Sequence, residues 1–397
     1  MARPIRVLVY SSFYPSAALP RHGIFLENRI RNLVASGTVD VRVVCPVPWF
    51  PIAARWAGSY GAFARVPQRD VRHGIEVFYP RFPLIPRIGM NLAPWTMAAA
   101  TAGTIRRLVR DGFDFDVLDA YYFFPDGVAA AVLAKRFRKP LMITAFGTDI
   151  NLIPQYALPR RMIQWSGSRA QGMTAVCQAL QDAMVALGMP QERMRVVLHG
   201  VDLQLFRPPA DRAALRARLG MNRRTLVSVG HLIERKGHHI AIGALAKLAD
   251  VDLVIAGDGP EDQSLRSLAQ RLGVADRVRF LGHVDQTKLP DYFGAADALV
   301  LASSREGIAN VLLESMACGT PVLATRIWGT PEVVNVPEAG VVLEGRSEAA
   351  LATAFATLFQ HYPDRALTRR HAERFTWEQT STDHLAVMRA AIERPIG

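Results

Sequence analysis

Short runs of β-branched and other apolar residues, each followed by a stretch of helix length, recur from one end of this chain to the other. No other feature limits the fold as tightly. In the first half the runs fall at 6–10, 39–45, 75–79, 116–121, 140–146, 173–177 and 194–199. Helical patterns lie between several of them, at 24–36, 91–111, 127–137 and 178–187. In the second half the runs are 225–229, 251–256, 278–281, 298–302, 321–324 and 340–343, with helical stretches at 237–249, 260–272, 286–295, 310–318 and 348–359. Strands that are apolar throughout belong to parallel sheets covered by helices on both faces, so the chain is an α/β protein. Its 397 residues exceed one ordinary domain and fit two of about 200 residues each. The pattern breaks at His199-Gly200-Val201-Asp202 and Phe206-Arg207-Pro208-Pro209, which places the linker near 200–209. Two doubly wound domains follow, one over 1–200 and one from 201 onward. Ligands of such sheets sit at the carboxyl ends of the strands. Two of them facing across a cleft can each hold one substrate, which suits group transfer.

Charge is unevenly spread. The formal net charge is +12, and residues 1–200 hold 24 Lys and Arg against 12 Asp and Glu. The remaining residues hold 23 of each, so the first domain carries the whole excess. A basic domain beside a neutral one points to an anionic partner for the first: nucleic acid, an anionic membrane leaflet or a phosphorylated acceptor. Arginine scattered for solubility is the alternative. The arginines are dispersed and no nucleic-acid motif accompanies them, so nucleic acid is not expected. Cys45, Cys177 and Cys318 lie far apart and form neither a disulfide framework nor a Cys-x-x-Cys pair, which makes a reducing cytoplasm the expected location. Arg3 and Arg6 precede too short an apolar run for a secretory signal, and no window reaches the roughly 18 apolar residues of a membrane span.

The segment most informative about chemistry is Ser303-Ser304-Arg305-Glu306-Gly307-Ile308-Ala309-Asn310, continuing through Glu314 to Cys318-Gly319-Thr320-Pro321. It leaves an expected strand and opens an expected helix. Gly307 permits a tight turn and close approach to a ligand. The amides of Gly307, Ile308 and Ala309, with the helix dipole behind them, form a phosphate site. Glu314 lies about five residues into the helix, some ~7.5 Å along its axis. A carboxylate at that distance can accept both hydrogens of a ribose diol. Glu306 stands before the turn, where the hydroxyls of a sugar would lie.

Glu306 and Glu314, with Ala317-Cys318-Gly319-Thr320-Pro321, resemble the E-x7-E signature of the GT-B fold, retaining glycosyltransferases of family 4. The resemblance spans nearly the whole chain. Val227-Ser228-Val229-Gly230-His231-Leu232-Ile233-Glu234-Arg235-Lys236-Gly237 is similar to the donor-phosphate strand and loop of that family. Ala256-Gly257-Asp258-Gly259-Pro260, Phe280-Leu281-Gly282-His283-Val284 and Gly200-Val201-Asp202 match as well. Phe375-Thr376-Trp377-Glu378 resembles the start of the closing helix, which in this family returns to the first domain. The resemblance thus implies two Rossmann-like domains, 1–200 on the acceptor side and 201–375 for the donor, with 376–397 closing back.

It also implies roles. Lys236 would contact the donor diphosphate and neutralise the leaving group. Gly230 and His231 would form the phosphate loop, and Leu281 to Val284 would read the nucleobase through backbone groups. Gly23, ahead of the helix at Ile24, resembles the glycine loop near donor phosphate and acceptor; simple helix entry is the other reading. Two positions depart from the pattern. His231 stands where the family usually has arginine, and Arg235 is expected to supply the missing charge, with protonated His231 as the alternative. Phe146 stands where many members have histidine, so Asp149 in Gly147-Thr148-Asp149-Ile150 becomes the first-domain residue expected in catalysis, against the reading that it only caps a helix.

Other signals are weaker. Asp114-Phe115-Asp116 and Asp250-Val251-Asp252 have the D-x-D form of a metal site but run into the amino ends of strands, so no metal and no cofactor is expected. Trp49-Phe50-Pro51-Ile52, the apolar residues from Phe82 to Ile88, and Arg160-Arg161-Met162-Ile163-Gln164-Trp165 mix apolar residues with arginine, as a membrane interface does. Packing on their own domain is the alternative. The function expected is transfer of a sugar from a UDP- or GDP-sugar to a hydroxyl of a glycan or lipid-linked acceptor, with retention, in cell-surface polysaccharide or glycolipid synthesis. An anionic membrane surface is an expected partner, with the chain peripheral on the inner face. The alternatives are a nucleotide-sugar epimerase or hydrolase on the same scaffold, and a non-catalytic nucleotide-sugar binding subunit.

Overall fold

The computed structural model describes residues 3–49, 60–84 and 89–396. The chain divides into two compact units, Met1–Leu198 with Trp377–Gly397, and His199–Thr376. Residues 50–52 and 85–88 of the apolar, arginine-flanked segments lie outside the described residues.

The first unit supplies strands β1 (Ile5–Tyr10), β2 (Val39–Val44), β3 (Val47–Trp49), β4 (Arg69–Arg72), β5 (Ile75–Phe78), β6 (Arg81–Pro83), β7 (Val117–Tyr121), β8 (Leu141–Ala145), β9 (Gly172–Ala175) and β10 (Met194–Val196). Eight of them form one sheet in the order β10-β9-β8-β7-β1-β2-β5-β4. All neighbours are parallel except β4, which runs antiparallel to β5 at the edge. β3 and β6 form a separate two-stranded ribbon. Strands β7, β8 and β9 are buried at every position, as a sheet covered on both faces requires. The edge strand Arg69-Asp70-Val71-Arg72 alternates exposed and half-buried residues, which is why its sequence carries no apolar run.

The second unit supplies β11 (Arg224–Val229), β12 (Val251–Ala256), β13 (Val278–Gly282), β14 (Ala298–Leu301), β15 (Val322–Thr325) and β16 (Gly340–Leu343). They form an all-parallel sheet in the order β13-β12-β11-β14-β15-β16. Its core includes Leu253 and Ile255 of β12, Val300 of β14 and Leu323 of β15, packed under Ile240, Leu245 and Leu351 from the covering helices.

In both sheets the direction of winding reverses once: between β1 and β7 in the first, and between β11 and β14 in the second. At such a reversal the loops leaving two neighbouring strands diverge to opposite faces and open a crevice at their carboxyl ends. Gly23 follows β1, Gly230 to Lys236 follow β11 and Glu306 to Glu314 follow β14, whereas Asp149 follows β8 and Leu281 and Val284 lie in and after β13.

The helix Trp377–Glu393 packs in the first unit, against the helix Ile24–Ala35 and β9. Thr380 Oγ1 donates to the Leu198 carbonyl at 2.9 Å, and Arg195 pairs with Asp383 at 2.9 Å. At its centre His384 reaches a buried polar cluster: its Nε2 lies 2.8 Å from Asp119 Oδ2, to which Tyr121 also donates at 2.7 Å. Arg29 is 3.4 Å from His384 Nδ1. Three of the four D-x-D aspartates form ion pairs, Asp114 with Lys139, Asp116 with Arg3 and Asp252 with Arg223. Cys45, Cys177 and Cys318 are buried and form no disulfide among the described residues. Among the described residues no helix is long and apolar enough to cross a membrane.

Candidate active site

β14 ends at Leu301, and the chain then passes through Ser303–Ala309 (303–309) before entering the helix Asn310–Ala317. The amides of Gly307, Ile308, Ala309, Asn310 and Val311 donate to no acceptor among the described residues. Backbone donors left open in a row at a helix start are satisfied by water or by an anion. The dipole of the helix adds partial positive charge there. Gly307 adopts no left-handed backbone; its carbonyl accepts the Gly329 amide at 3.1 Å, which fixes the loop from behind. The Thr325 hydroxyl does the same for the Ser303 carbonyl at 2.6 Å.

Glu306 precedes these amides. Three donors converge on one of its carboxylate oxygens: Lys236 Nζ at 2.7 Å, Ser303 Oγ at 3.0 Å and Arg235 Nη1 at 3.1 Å. Arg235 also donates to the Arg305 carbonyl at 2.7 Å, and the Ser304 amide returns a bond to the Arg235 carbonyl at 2.8 Å. The loop after β11 and the loop after β14 are therefore stitched together at the switch point of the sheet. Two cations meet one carboxylate, so the cluster keeps a net positive charge, and the second oxygen of Glu306 stays available.

Glu314 is 7% exposed. Burial pushes its carboxyl up to about 7, opposed by a single hydrogen bond from Gln286 Nε2 at 3.2 Å. A carboxylate this poorly partnered has room to accept two more hydrogens. Gln286 belongs to the loop after β13 that also carries His283 and Val284, with Leu281 near the end of the strand itself, so the segment expected at the nucleobase reaches the residue expected at the ribose.

Gly230 ends β11 with φ 153°, and Gly257 ends β12 with φ 156°. A Cβ at Gly257 would stand 1.9 Å from the Gly230 carbonyl oxygen, so the loop after β11 keeps its shape only if this position has no side chain. His231 is exposed, with Nδ1 3.7 Å from Asp258 Oδ1. It is Arg235, not His231, that joins Lys236 on Glu306. Under the loop His238, 1% exposed, meets Ser228 Oγ through Nδ1 at 2.9 Å, and burial holds its imidazole down at about 4, hence neutral.

The first unit is described separately. Gly23 takes φ 80° at the start of the helix Ile24–Ala35, and a Cβ there would meet the Phe13 carbonyl at 2.5 Å. Phe13, after β1, packs at 4.9 Å from both His22 and Tyr122, and Tyr122, after β7, stacks on Phe146 at 5.3 Å. Asp149, expected in catalysis, is 1% exposed, and it is not a helix cap. Its oxygens accept the amides of Phe123 (2.9 Å), Gly147 (2.9 Å) and Phe146 (3.2 Å). That geometry clamps the loops after β7 and β8 together and occupies both oxygens of Asp149 with backbone amides. Its neighbour in role is Asp126, whose carboxylate holds the Ser12 amide and hydroxyl and whose pKa burial pushes up to about 7.

Four contributors carried no sequence signal of their own: Ser303, Gln286, His238 and Asp126. Gln286 and Asp126 act through contacts with elements distant in sequence, Glu314 and Ser12, which no local pattern marks; Ser303 meets Glu306 within the same loop and His238 meets Ser228 of the preceding strand, and neither residue type at that spacing is distinctive.

Residues 22–205 match Glycosyltransferase Family 4, and residues 211–375 match Glycosyl transferases group 1. The chain belongs to the group 1 glycosyltransferases. This glycosyltransferase is 32% identical over 358 residues to the D-inositol 3-phosphate glycosyltransferase of Acidothermus cellulolyticus, covering 82% of its own length and 79% of that protein. It is 28% identical over 364 residues to a Bacillus subtilis glycosyltransferase assigned to teichuronic acid biosynthesis, covering 90% of each chain. Among solved structures, sucrose-phosphate synthase of Thermosynechococcus elongatus superposes with TM-score 0.76 at 19% identity, covering 98% of both chains. The Anabaena protein HepE, solved with UDP, gives 0.73 at 24% identity, covering 98% of this chain and 100% of that one. These likenesses establish the GT-B fold.

Proposed function

We propose that this glycosyltransferase moves a sugar from a UDP- or GDP-sugar to a hydroxyl acceptor, with retention at the anomeric carbon. One observation carries the reading: at the switch point of the second sheet, Glu306 with its cation pair, a row of open amides and a buried, under-partnered Glu314 follow one another as sugar, diphosphate and ribose do in a nucleotide-sugar. Lys236 and Arg235 stabilise the departing diphosphate, where a preorganised charge has its largest effect. Three donors occupy one oxygen of Glu306, and the other meets the sugar's hydroxyls. The amides of Gly307, Ile308 and Ala309 hold donor phosphate and sugar. Gly230 and His231 border the phosphates, Glu314 accepts the ribose diol, and Leu281 and Val284 flank the base.

No metal enters this scheme: Lys236 and Arg235, together with the open amides at the helix start, meet the charge of the leaving group. The structure of HepE with UDP supports a nucleoside diphosphate donor for the fold. The acceptor belongs to the first unit, with Gly23 at its entrance; Asp149 positions the loops there. A glycan or lipid-linked acceptor of cell-surface polysaccharide or glycolipid synthesis, met at the inner face of the membrane, agrees with the excess of basic residues in that half. Turnover of nucleotide-sugars with a panel of acceptors tests the scheme. Lys236→Ala lowers kcat by about 10²–10³-fold, the loss seen when one preorganised donor is removed from a developing charge. Glu306→Ala is at least as damaging. Unchanged turnover in either variant sinks the assignment.

A further inference from the structure

On the first unit, the short helix Val128–Phe137 is buried over most of its length, and it packs against both the helix Ala93–Arg110 and the helix Ala157–Arg169. Its alanines are small enough for its two neighbours to meet over it. They do so through two tryptophans, Trp95 and Trp165, whose rings lie 6.2 Å apart. Trp95 does not disappear into this contact; it is 45% exposed, and Leu92 just before it is 50% exposed.

The outward stripe of the helix Ala157–Arg169 runs Leu158, Arg161, Met162, Trp165 and Arg169, at helical spacing and away from its buried Pro159, Ile163, Ser166 and Gly167. Leu158 is 47% exposed. Arg161 and Arg169 are exposed one turn to either side of Trp165, and neither makes a side-chain hydrogen bond or ion pair among the described residues. The same holds for Lys135 and Arg136 at the end of the middle helix, and for Arg106 on the outer stripe that Trp95 begins. Exposed tryptophan and leucine thus sit among unpaired cations.

We infer that the stripe Leu92–Trp95 with Leu158–Arg161–Trp165–Arg169 is the face by which this chain lies on a bilayer containing anionic lipid. Tryptophan settles at the headgroup level, with its ring in the acyl boundary and its N–H toward water, and arginine on either side meets lipid phosphates. A soluble polyanion would use the arginines and gain nothing from exposed Leu92, Trp95 and Leu158. This deepens the membrane-face reading of the acceptor and rests on it, but not on the donor chemistry.

The test is flotation of the full-length chain with vesicles of phosphatidylcholine alone and of phosphatidylcholine with phosphatidylglycerol, at low and at high salt. The wild type floats with the anionic vesicles at low salt and is released as screening rises. Arg161→Glu with Arg169→Glu lowers partitioning by more than about tenfold, since each basic residue near such a surface contributes roughly a fivefold factor. Trp95→Ser with Leu92→Ser lowers it comparably, while affinity for the nucleotide-sugar, read by calorimetry, stays at the wild-type value and shows that the variants are folded. Wild type that ignores anionic vesicles overturns the membrane reading as a whole. Wild type that floats while both double variants float equally well overturns this face alone. Displacement of the wild type by polyglutamate, with no loss from Trp95→Ser and Leu92→Ser, would assign the arginines to a soluble acidic partner and contradict the proposal.

Discussion

Glu314 illustrates how one residue's surroundings set its chemistry. Its side chain is buried, and burial pushes the carboxyl up to about 7 from its ordinary 4.5, against the opposing hydrogen bond from Gln286. A carboxyl raised in the folded state favours folding while protonated. That contribution is fully present below the unfolded value and is lost as pH rises through about 7. Ribose needs the opposite form, because only the carboxylate accepts both diol hydrogens. Affinity for a nucleotide-sugar should therefore increase from pH 6 to pH 8, a range in which the diphosphate diester itself does not titrate. Glu314→Gln should bind weakly and without that pH dependence. In thermal melts without ligand, the same variant should be more stable than wild type at pH 8, with the gap closing as pH falls toward 4.5. Parallel melting curves at all pH values would refute the buried-carboxylate account. Asp149 makes the complementary point. The sequence shows an acid in a loop at the end of a strand, and only the contacts reveal that three amides occupy its oxygens.

At the scale of elements, the loops after β11, β12 and β14 hold one another. Gly257 has no room for a methyl group against the Gly230 carbonyl, and the obstacle is backbone, which cannot swing away as a side chain can. Gly257→Ala should leave most of the chain folded yet weaken nucleotide-sugar binding by about tenfold or more, through displacement of Gly230 and His231. Wild-type affinity in that variant would contradict the coupling of the two loops. Sequence periodicity located the buried strands well because each is an apolar run with no competing interpretation, Val7-Leu8-Val9-Tyr10 and Leu253-Val254-Ile255-Ala256 among them. It missed β4, whose Arg69-Asp70-Val71-Arg72 is polar because the strand lies at an edge, and β3 and β6, which are three residues long and contain proline. It also left the helix Ala157–Arg169 unread as a helix, because apolar and basic residues share its outer stripe and Pro159 stands near its start. In the candidate site, Glu306 and Glu314 were singled out by their spacing around a helix start that follows a strand, and Lys236 by the family resemblance. Gln286 and Ser303 were not, since nothing local distinguishes them from surface residues.

At the scale of the molecule, the two units carry different duties and are held by different means. The first unit closes only with residues from the far end of the chain. Asp119, Tyr121, Arg29 and His384 form its buried polar centre, and Arg29 Nε and Nη1 and Asp119 Oδ1 have no partner among the described residues. Such a cluster has nothing in reserve. His384→Ala strips one more bond from Asp119 and should cost about 3 kcal/mol of stability, seen as a lower melting temperature. Donor affinity, a property of the second unit, should be unchanged in that variant at a temperature where it is folded. A loss of donor affinity equal to the loss of stability would show that the units are not separable in this way. The excess positive charge lies in the first unit, and the elements proposed to bind the diphosphate lie in the second, so salt should weaken attachment to anionic vesicles far more than it weakens donor binding. The account as a whole rests on the second unit gripping a nucleoside diphosphate sugar through Glu314 and the open helix start. Calorimetric titration of the wild type and Glu314→Ala with UDP-, GDP- and ADP-sugars tests it most directly. The account predicts a saturable heat for at least one donor with wild type and an affinity at least about tenfold weaker in the variant. No heat for any of the three, or equal affinities for the two proteins, would contradict it.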